Sequence, residues 1–275
     1  MASTKHARHQ ARRVWQTPQT FKNWASILAD MVGEKVGRGP KTLLFETREG
    51  LTIECPNQPG ARVPLYEIFA EDCYHFDWFL GPLAGQPLGV LDVGGQIGTF
   101  ACRLAQIEPK AIVNTYEPSP TSAAVLRRNV DRNKFGDRIT VVEEALTSSI
   151  GTAELDDNEA GGGQNSLVGI QGNVGTVTVK TTTFDAAVAG APGPVNVVKI
   201  DCEGGEYDLV AASSPESWAP VERLVIEYHQ VPGHSWDELR TWFEGVGLSV
   251  QLEEPLGPGL GVVWLSREPL ARFAA

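Results

Sequence analysis

The chain has 275 residues, of which 42% are hydrophobic and 21% charged, with a formal net charge of −11. This composition supports a packed core and excludes a globally disordered chain. No apolar run approaches the roughly 20 residues that span a bilayer, and the basic start, MASTKHARHQARRVW, lacks the apolar middle of a secretory signal, so a soluble cytoplasmic protein with no membrane partner is expected.

The charge is unevenly placed. Residues 1–42 carry eight Lys/Arg and two Asp/Glu, so the remainder holds a net charge of −17. An acidic body argues against nucleic-acid binding. The leader, residues 1 to about 17, reads as a solvated tail, with RNA, an anionic lipid or the acidic body as alternative contacts. Cys55, Cys73, Cys102 and Cys202 form no CxxC pair and read as reduced thiols, Cys102 and Cys202 inside core elements.

In chain order, Phe21, Trp24, Ala25, Leu28, Met31 and Val32 recur at helical spacing, which predicts a helix with Thr20 as its cap. Leu43–Phe45 and Leu51–Ile53 alternate around Arg48-Glu49-Gly50, a hairpin pattern. The aromatic stretch Tyr66–Leu80 reads as a second amphipathic helix ended by Gly81-Pro82. Residues 1–85 are thus expected to form a tail and an α+β cap, ahead of a domain over 86–275.

From Gly89 short apolar runs alternate with helical segments. The expected strands are Val90–Val93, Ile112–Tyr116, Ile139–Val142, Val195–Ile200 and Arg223–Glu227; the expected helices are Gly98–Ala105, Thr121–Asn133 and Ser235–Glu244. Such alternation implies a parallel sheet covered by helices on both faces. Leu248–Leu252 and Gly261–Leu265 are joined by a loop too short for a parallel crossover, so this last pair is expected to be antiparallel. Between about 147 and 185 the alternation lapses into a hairpin excursion, with strands at Thr152–Leu155 and Thr176–Thr181 around the Gly- and Asn-rich DDNEAGGGQNSLVGIQGNVG. It is read as either a binding loop or a tolerated insertion.

The strand–turn–helix VLDVGGQIGTF, Val90 to Phe100, carries the first chemical signal. Gly94 and Gly98 permit a sharp turn and close approach of a ligand, and the helix start presents unpaired N–H groups to an anionic group. A dinucleotide fingerprint is G-x-G-x-x-G. Here Gln96 stands where its second glycine would be and would obstruct a pyrophosphate. S-adenosylmethionine has no phosphate and is the expected cofactor. Asp92 is expected to meet its amino group through water, with Gly95, Gln96 and Phe100 as further contacts of the turn. Glu117, 23 residues after Gly94 and at the tip of the second strand, suits the ribose hydroxyls. After the third strand, Glu144 rather than Glu143 is expected to reach the adenine amino group, because alternate residues face one side, with Ala145 against the ring.

The second signal is Lys199-Ile200-Asp201-Cys202-Glu203-Gly204-Gly205-Glu206, three acids within six residues at the carboxyl end of the fourth strand. Helix-dipole complementation accounts for Glu206 better than for Asp201. Here the chain resembles the FkbM-type methyltransferases: KIDCEGGEYDLV is similar to their K-I-D-x-E-G-x-E signature and DVGGQIGTF to their D-V-G-A-N-x-G turn. Tyr116–Pro120, Thr181–Asp185 and Glu67–Tyr74 fit as well. The resemblance covers about residues 65–268, and Gly95-Gln96 depart from the usual Ala-Asn. It implies the Rossmann-like class I methyltransferase fold, a seven-stranded, mostly parallel sheet with an antiparallel last strand. It also implies O-methylation of a natural product or cell-surface glycan.

Methyl transfer to an alcohol needs a base or a metal. As base the candidates are His229, whose ordinary titration range suits the task, and the pair Asp201 and Glu203, Asp201 also bordering the cofactor. As Mg²⁺ ligands the candidates are Asp201, Glu203 and Glu227. His234 reads as surface. No NPPY-like or DPPY-like tetrapeptide follows the fourth strand, which disfavours the alternative of N-methyltransfer. A non-catalytic cofactor-binding partner domain is a further alternative. The expected acceptor is a small hydroxylated molecule (sugar, glycan or polyketide), and a homo-oligomer is left open.

Overall fold

The computed structural model describes residues 12–35, 39–58, 60–157 and 175–273. Two helices open the chain, α1 over residues 12–20 and α2 (Trp24–Lys35). The hairpin β1 (Thr42–Glu46) and β2 (Thr52–Pro56) follows, then the short helices α3 (Val63–Phe69) and α4 (Phe76–Leu80). Helix therefore begins inside the expected tail; the first eleven residues lie outside the described ones. Phe21, expected in a helix, instead bridges Thr47 as an extended residue and is buried.

The stretch 66–80 is not one helix. Asp72 and His75 have φ of 48° and 50°, left-handed values that end one helix and start the next. Asp72 Oδ1 accepts the Phe76 N–H at 3.3 Å, holding the second start in place. Both halves still bury their aromatic faces, which is why the spacing resembled a single stripe.

The core is a seven-stranded sheet among the described residues. Its strands are β3 (Leu88–Val93), β4 (Ala111–Tyr116), β5 (Ile139–Val142), β9 (Val197–Ile200), β10 (Arg223–Tyr228), β11 (Ser249–Gly257) and β12 (Leu260–Ser266), in the order β11-β12-β10-β9-β3-β4-β5. The first five are parallel; β12 runs antiparallel to both neighbours. Helices α5 (Thr99–Ile107), α6 (Pro120–Arg132) and α10 (Trp236–Gly245) match the sequence pattern. The helix whose dipole Glu206 was read as complementing is α8 (Glu206–Ala211); two short helices did not stand out in the pattern, α7 (Phe184–Ala189) and α9 (Pro215–Trp218).

Alternation along the strands feeds two cores. Val90, Val197, Val225 and Trp264 join the cap residues Phe45, Ile53, Leu65 and Phe79 on one side. Leu91, Val198, Ile226 and Leu265 pack with Trp218, Leu239 and Phe243 on the other. Strands buried on both faces explain the near-continuous apolar runs. β3 and β9 are parallel neighbours at the point where the strand order reverses, which places their carboxyl ends, and hence the two sequence signals, side by side.

The excursion is a small second sheet: β6 (Ala145–Leu146) lies parallel to β8 (Gly175–Thr182), which pairs antiparallel with β7 (Gly151–Asp157). The Gly- and Asn-rich segment between β7 and β8 lies outside the described residues.

Helix α6 fastens the N-terminal hairpin to the sheet. Asn129 Oδ1 accepts the Glu54 N–H at 2.7 Å, while its amide donates to the carbonyls of Glu54 at 2.9 Å and Ile97 at 2.8 Å. Asn133 repeats the pattern at Thr52, accepting its N–H at 2.9 Å and donating to its carbonyl at 2.8 Å. Arg128 and Arg132 pair with the Glu54 carboxylate at 2.8 and 3.1 Å.

Candidate active site

The glycine turn is set by what crowds it. At Gly94, φ is +82° and an added Cβ would stand 1.7 Å from the Asp201 carbonyl oxygen. The tips of β3 and β9 therefore touch through that position. At Gly95 a Cβ would meet Thr115 Oγ1 at 2.2 Å, and at Gly98 (φ +85°) Leu126 Cγ at 3.0 Å. Gly94 and Gly98 were expected to permit a sharp turn, as their positive φ values do, and to make room for a ligand. They make room for the neighbouring strand and for α6, and Gly98 lies behind the turn, outside the cavity lining.

A cavity of about 660 Å³ opens in front of the turn, bordered by Gly94, Gly95, Gln96, Phe100 and the tip of β4. Gln96 has φ of 48°, and its backbone N–H donates to Glu117 Oε2 at 2.8 Å. The other carboxylate oxygen, Oε1, accepts the Ser119 N–H at 2.9 Å. Glu117 is thus fixed at the cavity wall. Burial pushes its carboxyl up to about 7, although the two backbone donors pull the other way. Glu144 and Ala145 line the same cavity, whereas Glu143 turns outward to pair with Arg127 at 2.7 Å.

Asp92 is a correction. It is fully buried beneath the turn and does not border the cavity. Thr115 Oγ1 donates to its Oδ2 at 2.7 Å, and Lys199 Nζ lies 3.4 Å from its Oδ1. Lys199 Nζ in turn donates to the Gly94 carbonyl at 2.6 Å and stands 3.5 Å from Asp201 Oδ2. Burial alone would push the Lys199 ammonium down, but Asp201, Asp92 and Glu227 outweigh it and raise it. The lysine is a buried cation that ties the turn to both carboxylates; the sequence reading assigned it no role.

At the other end of the cavity stand Glu67 from α3, Asp201, Glu203 and Glu227. Burial first, and then the charge of Asp201, push Glu67 and Glu203 up to about 7 and Glu227 up to about 8. Glu67 was not foreseen as a site residue, although it lies within the quoted Glu67–Tyr74 match.

His229 does not suit the base role expected of it. Its Nδ1 is 3.0 Å from Glu206 Oε1, and that fully buried carboxylate oxygen also accepts the N–H groups of Cys202 at 3.1 Å and Gly204 at 3.2 Å. Burial would lower the imidazole, but Glu206, Asp201 and Glu203 outweigh it and hold it at about 9. A ring protonated at neutral pH has no lone pair to take a proton. Cys202 lies in the turn after β9 rather than inside an element. Of the expected metal set, Asp201 and Glu227 converge, with His229 rather than Glu203 as third member.

The FkbM methyltransferase domain model matches residues 92–250, from the glycine turn to β11. The chain belongs to the FkbM methyltransferase family. Curated relatives include Methyltransferase 1 of Beauveria bassiana, 23% identical over 208 residues, covering 69% of this chain and 81% of that one. Methyltransferase sdnD of Sordaria araneosa is 25% identical, covering 61% and 74% respectively. The 31-O-demethyl-FK506 methyltransferase FkbM of Streptomyces tacrolimicus is 24% identical, covering 76% and 90%. This FkbM-family chain is accordingly an S-adenosylmethionine-dependent methyltransferase with the class I fold.

The cavity suits that cofactor on its own terms. Gln96 lines the cavity, and its Nε2 is a buried donor with no hydrogen-bond partner among the described residues, a group that a bound acceptor would satisfy. The carboxylates around the cavity favour a cationic ligand. Cofactor affinity should fall about tenfold between pH 8 and pH 6, because protonating Glu117 removes acceptor capacity below its raised value near 7. Calorimetric titration across that range would show it. Glu117→Gln should bind more weakly and flatten the dependence; a wild-type affinity constant from pH 6 to 8 would refute the assignment.

Proposed function

We propose that the protein transfers a methyl group to a hydroxyl oxygen of a small molecule of the sugar, glycan or polyketide kind, as a soluble cytoplasmic enzyme without nucleic-acid or membrane partners. The observation that carries this reading is the set of four carboxylates, Glu67, Asp201, Glu203 and Glu227, at one end of the cofactor cavity. A neutral amine attacks through its own lone pair, whereas a hydroxyl must lose a proton, and carboxylates at that place can receive it. The segment after β9 reads DCEGGE rather than an NPPY-like tetrapeptide, and the name of the Streptomyces relative specifies an O-methyl position.

When bound, S-adenosylmethionine supplies an electrophilic methyl group. The chain's part is alignment and proton removal. Gln96 and Glu117 hold the nucleoside side of the cavity, Glu144 and Ala145 border its far wall, and Lys199 keeps the β3 and β9 tips together. In the reading proposed here the acceptor enters between the cap and the carboxyl ends of β9 and β10, where Glu67 faces the acids of the sheet.

Labelled cofactor offered with matched pairs of acceptors, one bearing a hydroxyl and one an amine at the same carbon, tests this. Label should appear as a methyl ether, located by mass spectrometry and NMR. Label on nitrogen alone would overturn the O-methyl reading while leaving the family intact.

A further inference from the structure

The acids at the carboxyl ends of β9 and β10 do more than surround a cavity, because one of their neighbours is a histidine held in a particular way. Ligand atoms of Asp201, Glu227 and His229 all lie within 4.8 Å of one another. His229 Nε2 is 3.6 Å from Glu227 Oε1 and 3.4 Å from Glu203 Oε2. These separations are long for hydrogen bonds. They are close to what a shared ion needs: with bonds of about 2.1 Å, adjacent ligands of an octahedral cation stand about 3 Å apart and opposite ones about 4.2 Å.

The second, independent observation is Glu206. It is fully buried, and its Oε1 stands 3.0 Å from His229 Nδ1. A carboxylate on one ring nitrogen holds the ring and aims the other nitrogen, and a cation that takes the aimed nitrogen displaces its proton to solvent; this is the arrangement that supports metal-bound histidines. Here the aimed nitrogen is Nε2, and it points at the carboxylates. Two backbone N–H groups, from Cys202 and Gly204, anchor the same Glu206 oxygen, so the orienting group is itself immobile. Among the described residues the only ion-pair partner of Glu227 is His229, while Lys199 reaches the site only at Asp201 Oδ2, 3.5 Å away. The site is short of positive charge.

We propose that Asp201, Glu227 and His229 bind a divalent cation, with Glu206 as the positioning residue behind the histidine. Two carboxylates with one imidazole suit Mn²⁺ and its neighbours in the first transition row better than Mg²⁺, which prefers an all-oxygen set. A six-coordinate ion with three protein ligands leaves about three positions for water or for acceptor oxygens. A hydroxyl beside a second oxygen, as in a vicinal diol, is then the favoured acceptor class. Cation binding by these three side chains does not depend on which atom of the acceptor takes the methyl group.

Mn²⁺ titrated into the metal-stripped full-length chain, without cofactor or acceptor and followed by the loss of the free-ion EPR signal, tests the site. One binding site is expected, tighter for Mn²⁺ than for Mg²⁺. Asp201→Asn and Glu227→Gln should each weaken it at least about tenfold, and Glu206→Gln about 10–100-fold. Glu244→Gln, on the exposed face of α10, should leave it unchanged. Spin-echo modulation of the bound Mn²⁺ should show one imidazole nitrogen, a readout that needs no variant. Absence of nitrogen coupling would remove His229 as a ligand. Equal Mn²⁺ affinity in the wild type and in a folded Asp201→Asn/Glu227→Gln double variant would overturn the site.

Discussion

Lys199→Met is expected to cost about 3–5 kcal/mol of folding stability and to abolish cofactor binding. The ammonium is almost completely buried, 3.4 Å from Asp92 Oδ1, and donates to the Gly94 carbonyl at 2.6 Å. Removing it leaves the Asp92 carboxylate buried with only the Thr115 hydroxyl for compensation, and a buried charge that loses its partner is more costly than a pair never formed. The double variant Asp92→Asn/Lys199→Met removes both charges together and should recover part of the stability while cofactor binding stays lost. Urea titration of the three variants measures this. If the single variant unfolds at the wild-type midpoint, the pair has no structural role.

Gly94→Ala is the second large effect, with an expected loss of about 2–5 kcal/mol. A methyl group at this position would occupy the space of the Asp201 carbonyl oxygen, 1.7 Å away, in a backbone conformation with φ of +82°. The strand tip is held by the Asp201 N–H bonded to the Val93 carbonyl at 3.0 Å, and the peptide carrying the carbonyl by the Cys202 N–H bonded to Glu206 Oε1 at 3.1 Å. The tips of β3 and β9 must separate, which moves the turn away from Asp201 and Glu203. Thermal melting and cofactor titration would both register the change. A variant that melts and binds like the wild type would mean the two tips are not in contact in solution.

Much of this architecture is legible in the chain. Apolar runs such as VVKI and RLVIEY mark strands buried on both faces, and Ser119-Pro120 marks the start of α6, where Ser119 Oγ caps the Ser122 N–H. The turn, Glu117 and Glu144 could be placed because local spacing along consecutive strand tips determines them. What escaped the reading depends on contacts made through space. Asp92 was taken for a residue at the ligand because it adjoins the turn, but its strand position points it inward to Lys199. A lysine within an otherwise apolar strand was the available signal: a cation there requires buried anions. Glu67 lies on a helix more than 130 positions before Asp201, and nothing local announces that the two share a cavity. His229 was judged by its ordinary titration range, which takes no account of Glu206 behind the ring.

The pairing of α6 with the cap hairpin amounts to a ruler. Asn129 and Asn133 are four residues apart on a helix, an axial rise of about 6.0 Å. Their partners Glu54 and Thr52 are two residues apart on a strand, about 6.6 Å. The two lattices nearly coincide over this interval and diverge beyond it, so two side-chain amides can imitate one neighbouring strand for two rungs and no more. They cover backbone groups of β2 that would otherwise be open to another chain. Because the Asn129 amide also reaches the Ile97 carbonyl of the glycine turn, the phase of the hairpin is copied into the loop that borders the cavity. A one-residue insertion between Thr52 and Glu54 should therefore put the hairpin out of step with the turn.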